Sequence, residues 1–279
     1  MPSAGTNIML TQLPPRTLIK AERLRFPVFG DTTALESYSA INLGSDMSEA
    51  LFQNDAYLTE CTATVLESTQ QGVVLDRTVF YPVGGGQPGD SGRLSWGSDE
   101  MPVIDTKWRR DDGAIVHVPD PETLLPEVGA QVVAEIDWDR RHRLMRMHTC
   151  LHLLGAVLKF PVTGGQVRED KSRLDFDMPD SPDKADVTSE LNALIEAGHP
   201  VESRWIDEED LDPDLIRTMS VKPRTGVGRI RLLEIPGVDL QPCGGTHVKN
   251  TSEIGRVEVT KVEKKGRQNR RVHVVLAGD

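Results

Sequence analysis

The chain has 279 residues, of which 38% are hydrophobic and 27% are charged, a balance typical of a globular protein long enough for two domains. It contains neither an apolar run of about 18 residues nor a secretory signal, so we expect no membrane-spanning helix and place the protein in the cytoplasm. Three scattered cysteines exclude a disulfide framework, and a net charge of −11 argues against a general nucleic-acid-binding protein.

Residues 1–46 differ from the rest of the chain. They show no sustained hydrophobic periodicity, and they contain two adjacent prolines, Pro14 and Pro15. We interpret this segment as a flexible extension or as the product of a start codon assigned upstream of Met47, with a transit peptide as the alternative.

Residues 47–137 carry the alternating pattern of short β-strands. The segments YLTECTATVLES, VVLDRTVFYP, MPVIDTKW, AIVHV and AQVVAEI are separated by turn residues. Short strands at regular spacing predict a small β-barrel or a sandwich. We therefore expect an N-terminal β-barrel-like domain that ends near residue 137.

The hydrophobic period changes at Trp138. From Trp138 to about Phe160 the pattern predicts one long helix, with Asp137 as its N-cap and Pro161 beyond its end. A second helix is predicted at roughly 189–197 behind a Thr188 cap. Strands at VESRWI and RIRLLEI and a hairpin turning around Gly266–Asn269 follow. Helices on an antiparallel sheet make residues 138–279 an α+β domain.

Two short motifs hold metal-ligand residues. His148 and His152 lie four residues apart on the predicted helix, so both rings project from one face. Cys150 lies about 200° around that helix from His148 and is assigned to packing. Cys243 and His247 flank a diglycine in a loop. Three imidazoles and one thiolate suit zinc far better than magnesium or calcium.

The role of such a zinc ion stays open at this point. Thr149 follows His148 where a zinc protease would carry glutamate, so the protease interpretation is excluded. Four protein ligands usually form a closed structural site, whereas a catalytic zinc keeps one position open. The site could open if one ligand binds weakly or the ion becomes five-coordinate.

The segment FYPVGGGQPGDSG, residues 80–92, is unusually rich in glycine. Its spacing satisfies the pattern GxGxxG at Gly84, Gly86 and Gly89. Pro88 and Asp90 oppose a helix and the flanks are strands, so a dinucleotide site is not supported and no nucleotide cofactor is expected. We predict a loop whose bare backbone approaches a ligand, with Gln87 as a polar tip. A tight structural turn is the alternative.

Basic residues are clustered in two places. The long helix carries Arg140, Arg141, Arg143 and Arg146, and the C-terminal hairpin carries Lys261, Lys264, Lys265, Arg267, Arg270 and Arg271. In the hairpin they are opposed along the sequence only by Glu263. The ordinary interpretation of such runs is a solvated face.

Four motifs together resemble a known family. HTCLH at His148–His152, QPCGGTHV at Gln241–Val248, FYPVGGGQPGD at Phe80–Asp90 and the closing KKGRQNRRVHVVL resemble the editing domain of alanyl-tRNA synthetase. Without a recognisable aminoacylation domain, residues 47–279 resemble the free-standing alanyl-tRNA editing proteins of the AlaX type. The editing domain of threonyl-tRNA synthetase shares the HxxxH and CxxxH motifs but lacks the GGGQP pattern.

The resemblance implies a trans-editing hydrolase that deacylates mischarged tRNA(Ala), Ser-tRNA(Ala) or Gly-tRNA(Ala), with the protein a monomer or a homodimer. An alanine-sized pocket rejects serine and glycine poorly, which explains the need for a second hydrolytic site. The implied ligands of one Zn²⁺ per chain are His148, His152, Cys243 and His247, and the implied catalytic residues are His148, His152 and Gln166. The implied tRNA-binding residues are Gly84, Gly85, Gly86, Gln87, Lys264, Lys265, Arg267, Arg270 and Arg271.

Other functions remain compatible with the sequence. They are a tRNA-binding module with a purely structural zinc, a zinc hydrolase acting on a small ester, and a deacylase of Ser-tRNA(Thr). An open ligand position would separate the hydrolase from the binding module. Salt-dependent tRNA binding would separate it from a small-ester hydrolase, because phosphate contacts release counterions.

Overall fold

The computed structural model describes residues 48–219 and 228–278. The predicted extension 1–46 lies outside the described residues. Within these ranges the fold is α+β, as predicted, with two α-helices, a closed six-stranded barrel, a two-stranded parallel sheet and two further antiparallel sheets. No described helix combines the length and the apolar character needed to cross a membrane.

The N-terminal half is a β-barrel. The strands of this half are β1 (Glu49–Ala50), β2 (Glu60–Thr69), β3 (Gly72–Leu75), β4 (Arg77–Thr78), β5 (Gly92–Trp96), β6 (Asp99–Trp108), β7 (Ile115–Pro119) and β8 (Gln131–Ile136). Strands β1 and β4 pair with each other outside the barrel. The barrel closes in the order β2-β3-β7-β6-β5-β8, and every pairing in it is antiparallel. Alternate residues such as Val65, Leu94 and Val103 fill its interior. This confirms the barrel and excludes the sandwich.

The long helix α1 (Trp138–Leu158) begins at the predicted residue. The Asp137 carboxylate accepts from the Arg140 amide as the N-cap, and Lys159 ends the helix in a left-handed conformation with φ of 56°. From Leu144 to Ala156 nearly every side chain is buried. Over this stretch the helix is therefore enclosed by protein, and the His148 and His152 side chains face protein groups rather than solvent.

The second helix, α2 (Lys184–Glu196), begins five residues before the predicted start. Its N-cap is Asp183, whose carboxylate accepts from two backbone amides, and Thr188 lies inside the first turns, where it donates to the Lys184 carbonyl. The predicted Thr188 cap is therefore wrong. Val187, Leu191 and Ile195 form the buried stripe of this helix at intervals of four residues.

Two sheets complete the C-terminal half. The strands are β9 (Val162–Gln166), β10 (Lys171–Asp177), β11 (Glu202–Asp207), β12 (Arg229–Ile235), β13 (Asp239–Pro242), β14 (Val257–Lys264) and β15 (Asn269–Leu276). One sheet has the order β14-β15-β10-β9, and the other has the order β11-β12-β13. Both helices contribute to the same apolar core as the first sheet, and α1 contacts both β10 of that sheet and β13.

Candidate metal centre

The two histidines of α1 and the loop after β13 form one cluster. The ligand atoms of His148, His152, Cys243 and His247 all lie within 4.8 Å of one another. Cys243 Sγ is 3.7 Å from His148 Nε2 and 3.2 Å from His247 Nε2. The three imidazoles are buried and the thiol is half-buried. Two motifs far apart in the sequence thus supply one compact set of nitrogen and sulfur donors.

A glycine lets the loop approach the helix this closely. A Cβ atom on Gly245 would lie 2.2 Å from His148 Cε1 and 2.5 Å from its Nδ1, distances that real side chains do not adopt. Arg231 holds the loop from the other side, because its Nη1 donates to the carbonyls of Cys243 and Gly245 at 3.2 and 2.8 Å. The second glycine of the pair, Gly245, is therefore required for the loop to pack on α1.

Protein groups outside the cluster orient two of the imidazoles. Asp239 Oδ2 lies 3.0 Å from His152 Nδ1, and a carboxylate can only accept from that ring. Thr149 Oγ1 already donates to the Met145 carbonyl at 2.9 Å, so it accepts from His247 Nδ1 at 3.1 Å. In each ring Nδ1 therefore donates a hydrogen bond to a group outside the cluster, and Nε2 faces the cluster. Histidines in protein zinc sites commonly show this arrangement.

The protonation of these groups also fits a cation. Burial raises the pKa of the Cys243 thiol, but the neighbouring His148 and His247 outweigh burial and hold that pKa well below its usual range. Burial lowers the pKa of His247, and His148 lowers it further. Burial lowers the pKa of His152, but Asp239 and Cys243 outweigh it and raise the pKa to about 9. A thiolate and a neutral imidazole are ready to bind, and His152 would release a proton on binding.

The predicted position of Gln87 is wrong. It was expected at an exposed tip, yet its side chain is fully buried, with Oε1 at 2.8 Å from His148 Nδ1. The tip is formed instead by Gly85 and Gly86, which turn with φ of 56° and 85° between reciprocal backbone bonds of Gly84 and Gln87. The tight turn considered as the alternative is thus present, and it carries Gln87 inward.

Buried ionic contacts hold the glycine loop against α1. Arg141 and Asp90 are almost wholly buried, and Arg141 Nε bonds both Asp90 oxygens at 3.0 and 2.9 Å. Its Nη2 also donates to the Val79 carbonyl at 2.7 Å. Arg140 Nη1 donates to the Gly89 carbonyl at 2.7 Å. Two of the four clustered arginines on α1 therefore fix the loop and do not form a free basic surface.

Gln166 lies at the end of β9 beside the glycine loop. The amide of the next residue, Val167, donates to the Gly86 carbonyl at 2.8 Å. With its own amide oxygen turned toward Arg168, the Gln166 side chain accepts from that guanidinium at 3.0 and 3.1 Å. The Gln166 side chain is half-buried. Because Val167 bonds Gly86, the end of β9 places Gln166 next to the turn at Gly85 and Gly86.

The basic residues of the C-terminal hairpin separate into two groups. Lys264, Lys265 and Arg267 are exposed around the turn. Arg270 is only 4% exposed and donates to the carbonyls of Pro179, Gly266 and Asn269, so its guanidinium is bound within the protein and not exposed as its place in the sequence suggests. Arg271 makes a bidentate pair with Asp175 at 2.8 Å. Glu263 is therefore not the only acidic residue opposing the hairpin.

Comparison with known proteins places the chain in a family. Residues 230–273 match the family described as "Threonyl and Alanyl tRNA synthetase second additional domain", and residues 29–140 match "tRNA synthetases class II (A)". The second match begins within the segment predicted as an extension.

Curated editing proteins match over nearly their whole length, and a curated ligase matches over a smaller part of its own. The alanyl-tRNA editing protein AlaX-M of Methanosarcina barkeri is 39% identical over 241 residues, which is 82% of this chain and 99% of the relative. The AlaX-M protein of Saccharolobus solfataricus is 34% identical over 82% of this chain and 99% of its own length. An alanine–tRNA ligase of Halorubrum lacusprofundi is 37% identical over 77% of this chain and 24% of the ligase. The chain belongs to the family of AlaX-M alanyl-tRNA editing proteins.

Proposed function

We propose that this protein hydrolyses the aminoacyl ester of mischarged tRNA(Ala), with Ser-tRNA(Ala) as its main substrate and Gly-tRNA(Ala) as a second one. The observation that carries the proposal is the convergence of the HxxxH face of α1 with the CxxxH loop. The names of the relatives, which are alanyl-tRNA editing proteins, support tRNA(Ala) as the nucleic acid. A tRNA substrate and a thiolate ligand both fit the cytoplasm.

We propose that one Zn²⁺ per chain is held by His148, His152, Cys243 and His247. The donor set of three nitrogens and one sulfur is typical of zinc, and the outward hydrogen bonds described above leave the Nε2 atoms of His152 and His247 available. When bound, zinc supplies Lewis-acid polarisation of the ester carbonyl or of an attacking water.

The protein groups around the cluster define where an ester could enter. Cys243 is the least buried of the four ligands, and the neighbouring Gly244 is exposed with open space where a Cβ would lie. Gly85 and Gly86 are exposed on the glycine loop, which meets the cluster through Gln87. We propose that the aminoacyl end is admitted between these two loops. Gln166, on the adjoining strand, would contact the substrate.

The proposed tRNA surface consists of exposed residues only. Lys264, Lys265 and Arg267 would bind phosphates, and the backbone of Gly84–Gly86 would approach the acceptor end closely. Arg270 and Gln87 are left out because they are buried. Arg271 would contribute only after its pair with Asp175 breaks.

We also propose that residues 47–137 and 138–279 are two domains. The barrel encloses one apolar cluster, which includes Leu75, Leu94 and Met101, and the second half encloses another, which includes Leu153, Phe176 and Val272. Each half therefore has a core of its own.

A tRNA-binding module with structural zinc is the second candidate, and the four-ligand cluster itself favours it. The test is deacylation of Ser-, Gly- and Ala-tRNA(Ala) and of Ser-tRNA(Thr) by the purified protein. Cys243→Ser should abolish turnover, whereas Cys61→Ser, a change at a half-buried thiol of the barrel, should leave it unchanged. Tight tRNA binding without ester hydrolysis would support the binding module, and a preference for Ser-tRNA(Thr) would reassign the substrate.

A further inference from the structure

We infer that Gln87, a residue of the barrel's glycine loop, is a positioning residue for the metal ligand His148. It fixes that imidazole in the tautomer whose Nε2 faces the cluster. The inference rests on the proposed metal site and extends it, because it makes the barrel loop a part of that site. Gln87 lies 61 residues before His148 in the chain, and its side chain is completely buried.

The hydrogen bonds of Gln87 identify its amide oxygen. The backbone amide of Thr246 lies 3.2 Å from Oε1, and a backbone N–H can only donate. On the other side of the same amide group, Nε2 lies 2.8 Å from Thr246 Oγ1, a hydroxyl that can accept. Both contacts agree on one orientation of the Gln87 amide, so the oxygen is the atom that faces His148.

That orientation determines which nitrogen of His148 carries the proton. Gln87 Oε1 is 2.8 Å from His148 Nδ1, and two acceptors would repel each other at this distance. Nδ1 must therefore be protonated. In a neutral ring the lone pair is then on Nε2, the atom that lies 3.7 Å from Cys243 Sγ. Gln87 thus does for His148 what Asp239 and Thr149 do for the other two histidines.

Gln87 is itself held in place from two directions. The buried pair of Asp90 and Arg141 fixes the loop three residues further along the chain. At the other side, a Cβ on Gly245 would come within 3.0 Å of Gln87 Oε1, so the CxxxH loop packs directly on the amide. The close fit and complete burial mean that loss of the amide leaves His148 Nδ1 and the Thr246 amide without their acceptor.

The test compares two substitutions that keep the size of the side chain. Gln87→Leu removes the acceptor, whereas Gln87→Glu keeps an oxygen facing both Nδ1 and the Thr246 amide. Gln131→Leu is the matched control, because Gln131 also bonds a threonine hydroxyl of the barrel but lies away from the cluster. Zinc affinity is measured by competition with a chelator, and Co²⁺ absorption reports the geometry of the ligands. Melting of the metal-free variants reports folding.

We expect Gln87→Leu to weaken zinc binding about 10- to 100-fold, the usual effect of losing an outer partner, with Gln87→Glu within about threefold of the wild type. Equal zinc affinity in the wild type and Gln87→Leu would overturn the inference. Equal weakening of zinc binding in Gln87→Leu and Gln87→Glu would also overturn it, because the packing of the loop and not the hydrogen-bond acceptor would then determine the affinity. A wild type that binds no zinc would instead remove the proposed metal site.

A second measurement does not depend on metal, and its decisive spectrum, that of the wild type, does not depend on the stability of a variant. In the metal-free wild type, ¹⁵N-edited spectra of the histidine rings should show His148 protonated at Nδ1, and Gln87→Leu should lose that hydrogen-bonded signal. A wild-type His148 protonated at Nε2 alone would overturn the tautomer assignment. Deacylation by the wild type is followed in parallel, so that failure of the proposed function is seen separately.

Discussion

A single methyl group at Gly245 tests how tightly the CxxxH loop must pack on α1. In Gly245→Ala the new Cβ would start 2.2 Å from His148 Cε1, whereas carbon atoms normally approach to about 3.5–4.0 Å. The ring or the loop must therefore move by more than about 1 Å. Metal–ligand distances are tolerated only within about 0.2 Å, so the four donors can no longer meet one cation.

We expect Gly245→Ala to lose at least about 100-fold in zinc affinity, or roughly 2.7 kcal/mol. Gly244→Ala is the matched control, because a Cβ at the adjacent position meets nothing within 4 Å. Chelator competition gives the two affinities, and circular dichroism checks that both variants are folded. If Gly245→Ala and Gly244→Ala bind zinc equally well, the loop does not pack on His148 as described and the cluster geometry is wrong.

Three other predictions concern folding and tRNA binding. His117 is fully buried, and burial lowers its pKa to about 4 from the ordinary 6.5. The stability that its neutral form contributes is present above about pH 6.5 and falls by about 3 kcal/mol as the pH falls to about 4. Denaturation at both pH values should therefore show a loss about 3 kcal/mol larger in the wild type than in His117→Gln, and equal losses would contradict this prediction. Arg141→Met should destabilise the fold by roughly 3–5 kcal/mol, because it leaves the buried Asp90 carboxylate unpaired; a small change in the denaturation midpoint would contradict the buried pair. Neutralising the exposed hairpin residues to Gln should reduce the log–log salt slope of tRNA binding by about two to three units, and an unchanged slope would place the tRNA elsewhere. The residues to change together are Lys264, Lys265 and Arg267.

The sequence predicted best those elements whose hydrophobic period matches a local structure. The alternation in strands β2 and β6 and the change of period at Trp138 were sufficient to predict the barrel and α1. Strand β9 was missed because its sequence, VTGGQ, has too few apolar residues to alternate. The start of α2 was missed because Asp183 and Thr188 are both suitable caps, and the buried position of Val187 decides between them.

The ligand set of the candidate site was also predictable, but the surroundings of the ligands were not. His148, His152, Cys243 and His247 stand in two short motifs, and the structure brings them together. The outer partners Thr149 and Asp239 do not stand out by residue type, since a threonine or an aspartate near a histidine is common in any sequence. Only tertiary packing shows that they face Nδ1 atoms.

Exposure was the property that the sequence predicted least well. Gln87 follows three glycines and Arg270 follows a polar turn, and both contexts are typical of solvent-facing residues. The structure buries both, because the turn at Gly85 and Gly86 points Gln87 toward α1 and the carbonyls near Pro179 receive the Arg270 guanidinium. Such outcomes depend on contacts between distant segments.

The most direct test of ester hydrolysis at this metal site is the deacylation rate of Ser-tRNA(Ala) as a function of zinc content. The protein is stripped with a chelator, reloaded in steps, and assayed at each zinc-to-protein ratio. We predict that the stripped protein is inactive and that the rate rises in proportion to bound zinc until one ion per chain is reached. Full activity in the stripped protein, or no activity after complete reloading, would contradict the proposal.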